Sequence, residues 1–211
     1  MAKPGELAEL IARLFKLEEA TVRQQARELR DHGLMSKEKG GRGAGSMTAL
    51  DAAHLLVAAA ATTSVKKSAE VVRKYQACIA NEWRGSPLEW NLSYLPAREI
   101  QSLRSDHSIV DFIEAAIIAF CSGQWSEIDD AFGDGPFDIG KFLLNVGLGG
   151  PATSASVSII QMTEPGKKRS ERPAGEMHSY GDNMEGHTTD YSYHYHFGHR
   201  SLMAVGKLLR M

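Results

Sequence analysis

One stretch constrains this chain more than any other: residues 16–47, KLEEATVRQQARELRDHGLMSKEKGGRGAGSM. Val22, Ala26 and Leu29 recur at helical spacing and predict a helix over Val22–His32 with a buried stripe. Thr21 stands where a side-chain oxygen can cap the first free N–H groups of that helix. Arg23, Arg27 and Arg30 follow at spacings of four and three, so they share the opposite side. Gly33 can take the left-handed conformation that ends a helix, and Leu34 returns the chain to the core. Ser36 to Gly45 then forms a loop with four glycines and three cations, in which the backbone can turn tightly.

What precedes this stretch is also helical. Leu7, Leu10, Ile11, Leu14 and Phe15 predict a helix from Glu6 to Phe15 behind Pro4 and Gly5. Glu6 and Glu9 favour its early turns. A short helix is expected over Leu17–Ala20, between the two longer ones. The formal net charge is −2, so the chain has no overall positive field to draw in nucleic acid. Local charge is less even. Residues 20–47 carry six Lys/Arg against three Asp/Glu, and residues 86–150 carry three against ten. A basic head precedes an acidic body.

The order helix, helix, Gly stop, basic loop is suited to double-stranded DNA. The helix after Thr21 would lie in the major groove, where its first residues reach base edges. Arg23 and Gln24 are the best base readers, with Gln25 beside them. Arg27 and Arg30 suit phosphates, and Lys37, Lys39 and Arg42 arm the loop, with Arg42 placed to enter a minor groove. Taken singly, the helix also suits an ordinary solvated surface and the loop an ordinary linker. It is the two in this order that favour DNA.

The segment TVRQQARELRDHGLMSKEKGGRG resembles the winged helix-turn-helix of bacterial regulators, in which a helix ending in LRDxGL leads into a basic wing. The first region as a whole, continuing into GAGSMTALDAAHLLVAA, is similar to uncharacterised proteins of alphaproteobacterial phages and prophages. The resemblance implies a DNA-binding regulator that acts as a homo-oligomer, with a dimer favoured because two half-sites double the reading length. The loop departs from a standard wing: it has almost no β-branched residues, so it is expected to order only on DNA.

Beyond Met47, Thr48 predicts an N-cap for a helix over 49–61, whose alanines imply close helix packing. A further helix is expected over Lys66–Trp83, with Lys66, Lys67, Arg73 and Lys74 outward on what is best read as a solvated face. Gly85-Ser86-Pro87 marks a boundary. Asp106 or Ser108 opens a strongly apolar helix, Ile109–Cys121. Strands are expected from Phe137 to Leu148 and around Val157–Ile159, with Gly147, Gly149, Gly150 and Pro151 in the turn between them. Residues 164–190 read as a mobile polar loop. Tyr191, Tyr193, Tyr195 and Phe197 alternate with Ser192, His194 and His196, a strand with an aromatic face expected to be buried. The last residues, SLMAVGKLLRM, suit a short helix on the sheet.

These elements define an α+β chain. The expected domains are a winged-helix-like region 1–47, connecting or dimerising helices 48–85, and a mixed helical and antiparallel β region 86–211. Cys78 and Cys121 sit in apolar helical patterns and read as buried thiols of a reducing, cytoplasmic setting. No apolar run spans a bilayer, and no membrane partner is expected. Asp111, Glu114, Glu127, Asp129, Asp130 and Asp134 could support acid–base or metal chemistry. His194 and His196 could hold zinc with His199, His178 or His187. No motif organises either set, so no catalytic residue, metal or cofactor is assigned and the chain reads as a non-enzyme. The leading expectation is a sequence-specific phage or prophage transcriptional regulator. Two alternatives stand behind it. One is a packaging, replication or nucleoid-associated DNA-binding protein. The other is a metal-dependent enzyme built on the acidic body and the histidine strand.

Overall fold

The computed structural model describes residues 2–36, 46–62, 64–81, 97–104, 106–123, 142–150, 153–161, 175–181 and 193–210. An N-terminal helical region leads into a mixed region of helices and antiparallel sheet, the α+β architecture expected.

Helix α1 runs over Pro4–Phe15, with Pro4 in its first turn, where a missing N–H costs nothing. Glu6 Oε2 accepts from the Lys3 backbone N–H at 2.8 Å and closes the N-terminus. Lys16 ends the helix in the left-handed conformation, φ 55° and ψ 40°, the only described non-glycine residue with positive φ. A non-glycine residue is held there at a cost of about 1 kcal/mol. Helix α2 then spans Glu19–Asp31. The expected short helix over Leu17–Ala20 does not form, because Leu17 and Glu18 complete a three-residue turn. Leu17 N–H bonds Ala12 O at 2.9 Å, and the Glu18 carbonyl accepts from Thr21 and Val22. Glu18 is therefore the N-cap, and Thr21 lies inside the first turn rather than capping it. Gly33 closes α2 as expected, at φ 74°, and Leu34 N–H reaches Leu29 O at 2.8 Å.

Helix α3, Ala49–Ala61, has the Thr48 cap and the bounds expected of it, and from Asp51 to Ala61 every residue is buried. The next helix is shorter than the sequence suggests. A 3-10 turn at Val65–Lys67 precedes α4, Ser68–Gln76. The chain then leaves helical geometry. Ala80 N–H bonds His107 O at 2.9 Å, and Ile109 N–H bonds Cys78 O at 3.0 Å. Cys78 thus lies beyond the helix, and Ala80–Asn81 forms an edge strand, β1. A short α5, Arg98–Gln101, precedes α6, Ile109–Ser122, which Ser108 caps.

The sheet order is β1-β4-β3-β2-β5, all antiparallel, from β2 (Phe142–Gly150), β3 (Ser154–Gln161), β4 (Gly175–Tyr180) and β5 (Tyr193–Gly198). Two expectations change here. Gly147, Gly149 and Gly150 belong to β2 instead of a turn, since all three pair with a neighbouring strand. At Gly147 a Cβ would stand 2.7 Å from Ser156 Oγ and 3.0 Å from the His196 ring, so a side chain there would push both aside. Part of the expected loop 164–190 is β4, which the ladder to β3 holds from Ala155 to Ile160. The remainder of that stretch falls outside the described residues, as do Phe137 and Ile139.

In the β5 register Phe197 and Tyr195 pair with Val146 and Leu148, and His196 and His194 with Gly147 and Gly149. Burial of the aromatic face is uneven. Phe197 is buried, but Tyr195 at the sheet edge is 41% exposed. The final helix, α7, spans His199–Arg210 and packs mainly on α6. One buried cluster runs from Leu7 of α1 through α3, α6 and the inner face of the sheet to Val205 of α7. Among the described residues no helix is long and apolar enough to cross a membrane.

Candidate nucleic-acid interface

The stripe that docks α2 consists of Val22, Gln25, Ala26 and Leu29, all buried. The remaining residues define its outward face. Arg23, Gln24 and Arg27 are exposed, and Thr21 and Arg30 are half-buried at its margins. Arg23 Nε donates to Glu19 Oε1 at 2.5 Å, and its guanidinium lies against Gly5 in the first turn of α1. Both groups of that ion pair are well exposed, so it leaves the arginine available to an anion at little cost. Lys66 and Lys67 are exposed on the turn packed beside α2. Arg73 of α4 donates to His32 O at 3.2 Å and ties down the end of α2.

Gln25 is not part of this face. Its side chain is fully buried, and Nε2 donates to Ala58 O at 3.3 Å and Thr62 O at 3.1 Å. It gives the Thr62 carbonyl a donor and shares the Ala58 carbonyl with the Thr62 N–H at the end of α3. Position 25 completes the spacing 22, 25, 26, 29, and that pattern was the available signal that this amide points inward.

The root of the basic loop is built around Asp51, which is 3% exposed. Its carboxylate accepts from Ser36 N–H at 2.7 Å and Ser36 Oγ at 2.9 Å on one side of the loop. On the other side it accepts from Thr48 N–H at 2.9 Å and Thr48 Oγ1 at 3.0 Å. Met47 N–H also bonds Ala2 O. One carboxylate thus joins both ends of residues 37–45. Lys37, Lys39 and Arg42 themselves lie outside the described residues.

His54, one turn along α3, is buried beneath this root. Its Nδ1 lies 2.5 Å from Leu34 O, which fixes the proton on that nitrogen, and Nε2 is left to accept from Gln76 Nε2 at 3.0 Å. Burial lowers its pKa below the ordinary 6.5, outweighing the Leu34 carbonyl, Asp51 and Asp111, which raise it. The neutral ring holds the end of α2, α3 and α4 together.

The other candidate chemistry is dispersed. Asp111 caps α6, with Oδ2 accepting from Ser108 N–H and Oγ. Glu114, half-buried beside it, has a raised pKa, first from burial and then from Asp111 and Asp51. Both line an open cleft of about 590 Å³ with Glu99, Arg104 and Asp106. Glu127, Asp129, Asp130 and Asp134 lie outside the described residues, as does His187. The His196 ring lies over Gly147 on the outer sheet face, and His199 begins α7. Among the described residues no three His, Cys, Asp or Glu side chains converge as metal ligands.

Comparison of the chain with protein-family models, with curated proteins and with solved structures finds no match.

Proposed function

We propose that this chain binds double-stranded DNA in a sequence-specific manner, with α2 in the major groove, as a transcriptional regulator. The observation that carries the reading is the α1–turn–α2 unit: two helices, three connecting residues, and a second helix whose first turns offer Arg23, Gln24 and Arg27 outward. Arg23 and Gln24 read bases, since guanidinium and amide groups match guanine and adenine edges. Arg27 and Arg30 hold phosphates, with Lys66 and Lys67 extending the basic track. The segment KEKGGRGAG leaves from the Asp51 root and supplies three more cations in Lys37, Lys39 and Arg42. The winged-helix resemblance supports the same assignment and a phage or prophage origin, and paired half-sites favour a homodimer.

The test is retention of fragmented genomic DNA by the purified chain at roughly 0.15 M salt, where weak phosphate-only binding is suppressed. Enrichment of a short, near-palindromic site beside promoters is expected. Arg27→Ala should weaken binding to all sequences and lower the salt slope by about one, whereas Gln24→Ala should relax preference at one position. Uniform retention would replace regulation by a packaging or nucleoid role, and no retention would overturn DNA binding altogether.

A further inference from the structure

The turn between α1 and α2 does more than join them. It forms one wall of a cleft of about 300 Å³ between the helices and β5. Ala59 and Ala60 of α3 make its floor, and Leu14, Phe15 and Leu17 its near side. Tyr195 and His196 of β5 close the far side, and Lys16 stands exposed at the mouth. The volume lies at the lower end of what small-molecule sites occupy, and an apolar lining with few polar groups is their usual character.

Three features fit this cleft to a ligand. Ala59 and Ala60 of α3 line it with the smallest apolar side chains, so no larger α3 side chain fills the space. Tyr195 presents an aromatic ring that is 41% exposed along the cleft, although its neighbour on the same strand face, Phe197, is fully packed against Phe15 and the core. Lys16 is the left-handed C-cap of α1, and its exposed side chain lines the cleft. A lysine retained there places a cation at the mouth of an apolar slot.

We propose that this cleft binds a small, flat, apolar anion, of the class of aromatic or short-chain carboxylates. The ring or chain lies on Ala59 and Ala60 against Tyr195, and the anionic group faces Lys16. The inference is independent of the DNA reading.

The probe is 8-anilinonaphthalene-1-sulfonate, an apolar anion, titrated into the full chain by fluorescence and by amide chemical shifts. One saturable site is expected, with Kd about 10–100 µM. Shift changes should concentrate at residues 14–17, 59–60 and 195–196. Lys16→Glu should weaken this probe at least fivefold and leave the neutral N-phenyl-1-naphthylamine unchanged. Lys16→Gly should weaken the anion as well while raising the thermal midpoint, a combination that a merely structural lysine would not produce. Ala60→Leu should weaken both probes about tenfold. Should Ala60→Leu fail to fold, the two Lys16 variants decide. The proposal is overturned if the shifts fall elsewhere, if no saturable binding occurs, or if Lys16→Glu leaves the anion's affinity unchanged.

Discussion

Replacing Asp51 should open the root of the basic loop. The carboxylate accepts four hydrogen bonds, two from each side of residues 37–45, at 2.7–3.0 Å. Bonds to a charged acceptor contribute about 1.5–3 kcal/mol each in favourable settings. Ser36 and Thr48 are exposed, so water can recover part of what is lost at each. Discounted in that way, Asp51→Ala should cost about 3–5 kcal/mol, a large share of the roughly 5–15 kcal/mol that holds a domain folded. Asp51→Asn keeps the shape, and with its amide oxygen in the place of Oδ2 three donors keep an acceptor while the NH₂ faces the Ser36 N–H alone, so it should cost about half as much. Urea denaturation measures both. Amide hydrogen exchange at Ser36 and Thr48 should accelerate in both variants, while exchange in α6 follows global stability. A second readout is electrostatic. The Asp51 charge helps raise the Glu114 pKa, so in Asp51→Asn the Glu114 carboxyl should titrate closer to its ordinary value, followed by carboxyl carbon shifts. It should stay above that value, because burial is the larger cause. A loss below about 1 kcal/mol in Asp51→Ala would refute the reasoning, since the four bonds would then be replaced by water at almost no cost.

Other perturbations have equally definite signs. His54 is held neutral with a lowered pKa, so between that value and 6.5 the unfolded chain binds more protons than the folded one. The stability it contributes is complete above 6.5 and is lost as pH falls through the window, so the urea midpoint should drop from pH 7 toward pH 5. His54→Gln should flatten that slope, and an unchanged slope would show that the ring does not titrate as described. In α7, Gly206→Ala should destabilise, although alanine is the better helix former by about 1 kcal/mol. The new Cβ would stand 2.7 Å from Phe120 Cβ, 3.0 Å from Cys121 N and 3.1 Å from Ile117 O. Two of these atoms are backbone and cannot yield, so an overpacking cost of about 1–3 kcal/mol should prevail. A rise in thermal midpoint would contradict that packing.

Local signals carried most of the helical architecture. Thr48 with Asp51, and Ser108 with Asp111, are capping pairs three residues apart, and both open helices where the spacing places them. Apolar periodicity located α1, α3 and α6 because each buries its stripe against neighbours in the same cluster. Elements whose state depends on distant partners were not legible in this way. Ile79 and Ala80 continue a helical pattern in the sequence, but Ser108 and His107 pull them into extended pairing. Gly147 and Gly149 look like turn residues, although at Gly147 the absent side chain makes room for Ser156 and His196. The polar strand β4 has no alternating apolar face to announce it, and a ladder to β3 decides its conformation.

The adjacent glutamines of α2 show how far this limit extends to function. Gln24 and Gln25 are chemically identical and one residue apart, yet about 100° of helix turn separates them. Read by residue type, both are polar and both suit base contacts. Read by phase, position 25 falls inside the stripe set by Val22, Ala26 and Leu29, where Oε1 is buried without a hydrogen bond among the described residues while Nε2 finds the Ala58 and Thr62 carbonyls. That bond ties α2 to the end of α3, so the outward face cannot roll without breaking a buried contact. The outward face that the proposed DNA contact would use is therefore narrower than composition suggests, centred on Arg23, Gln24 and Arg27, and the Gln25 bonds tether it to α3. A recognition helix needs that rigidity more than it needs additional cations, because reading a base edge depends on where a side chain begins.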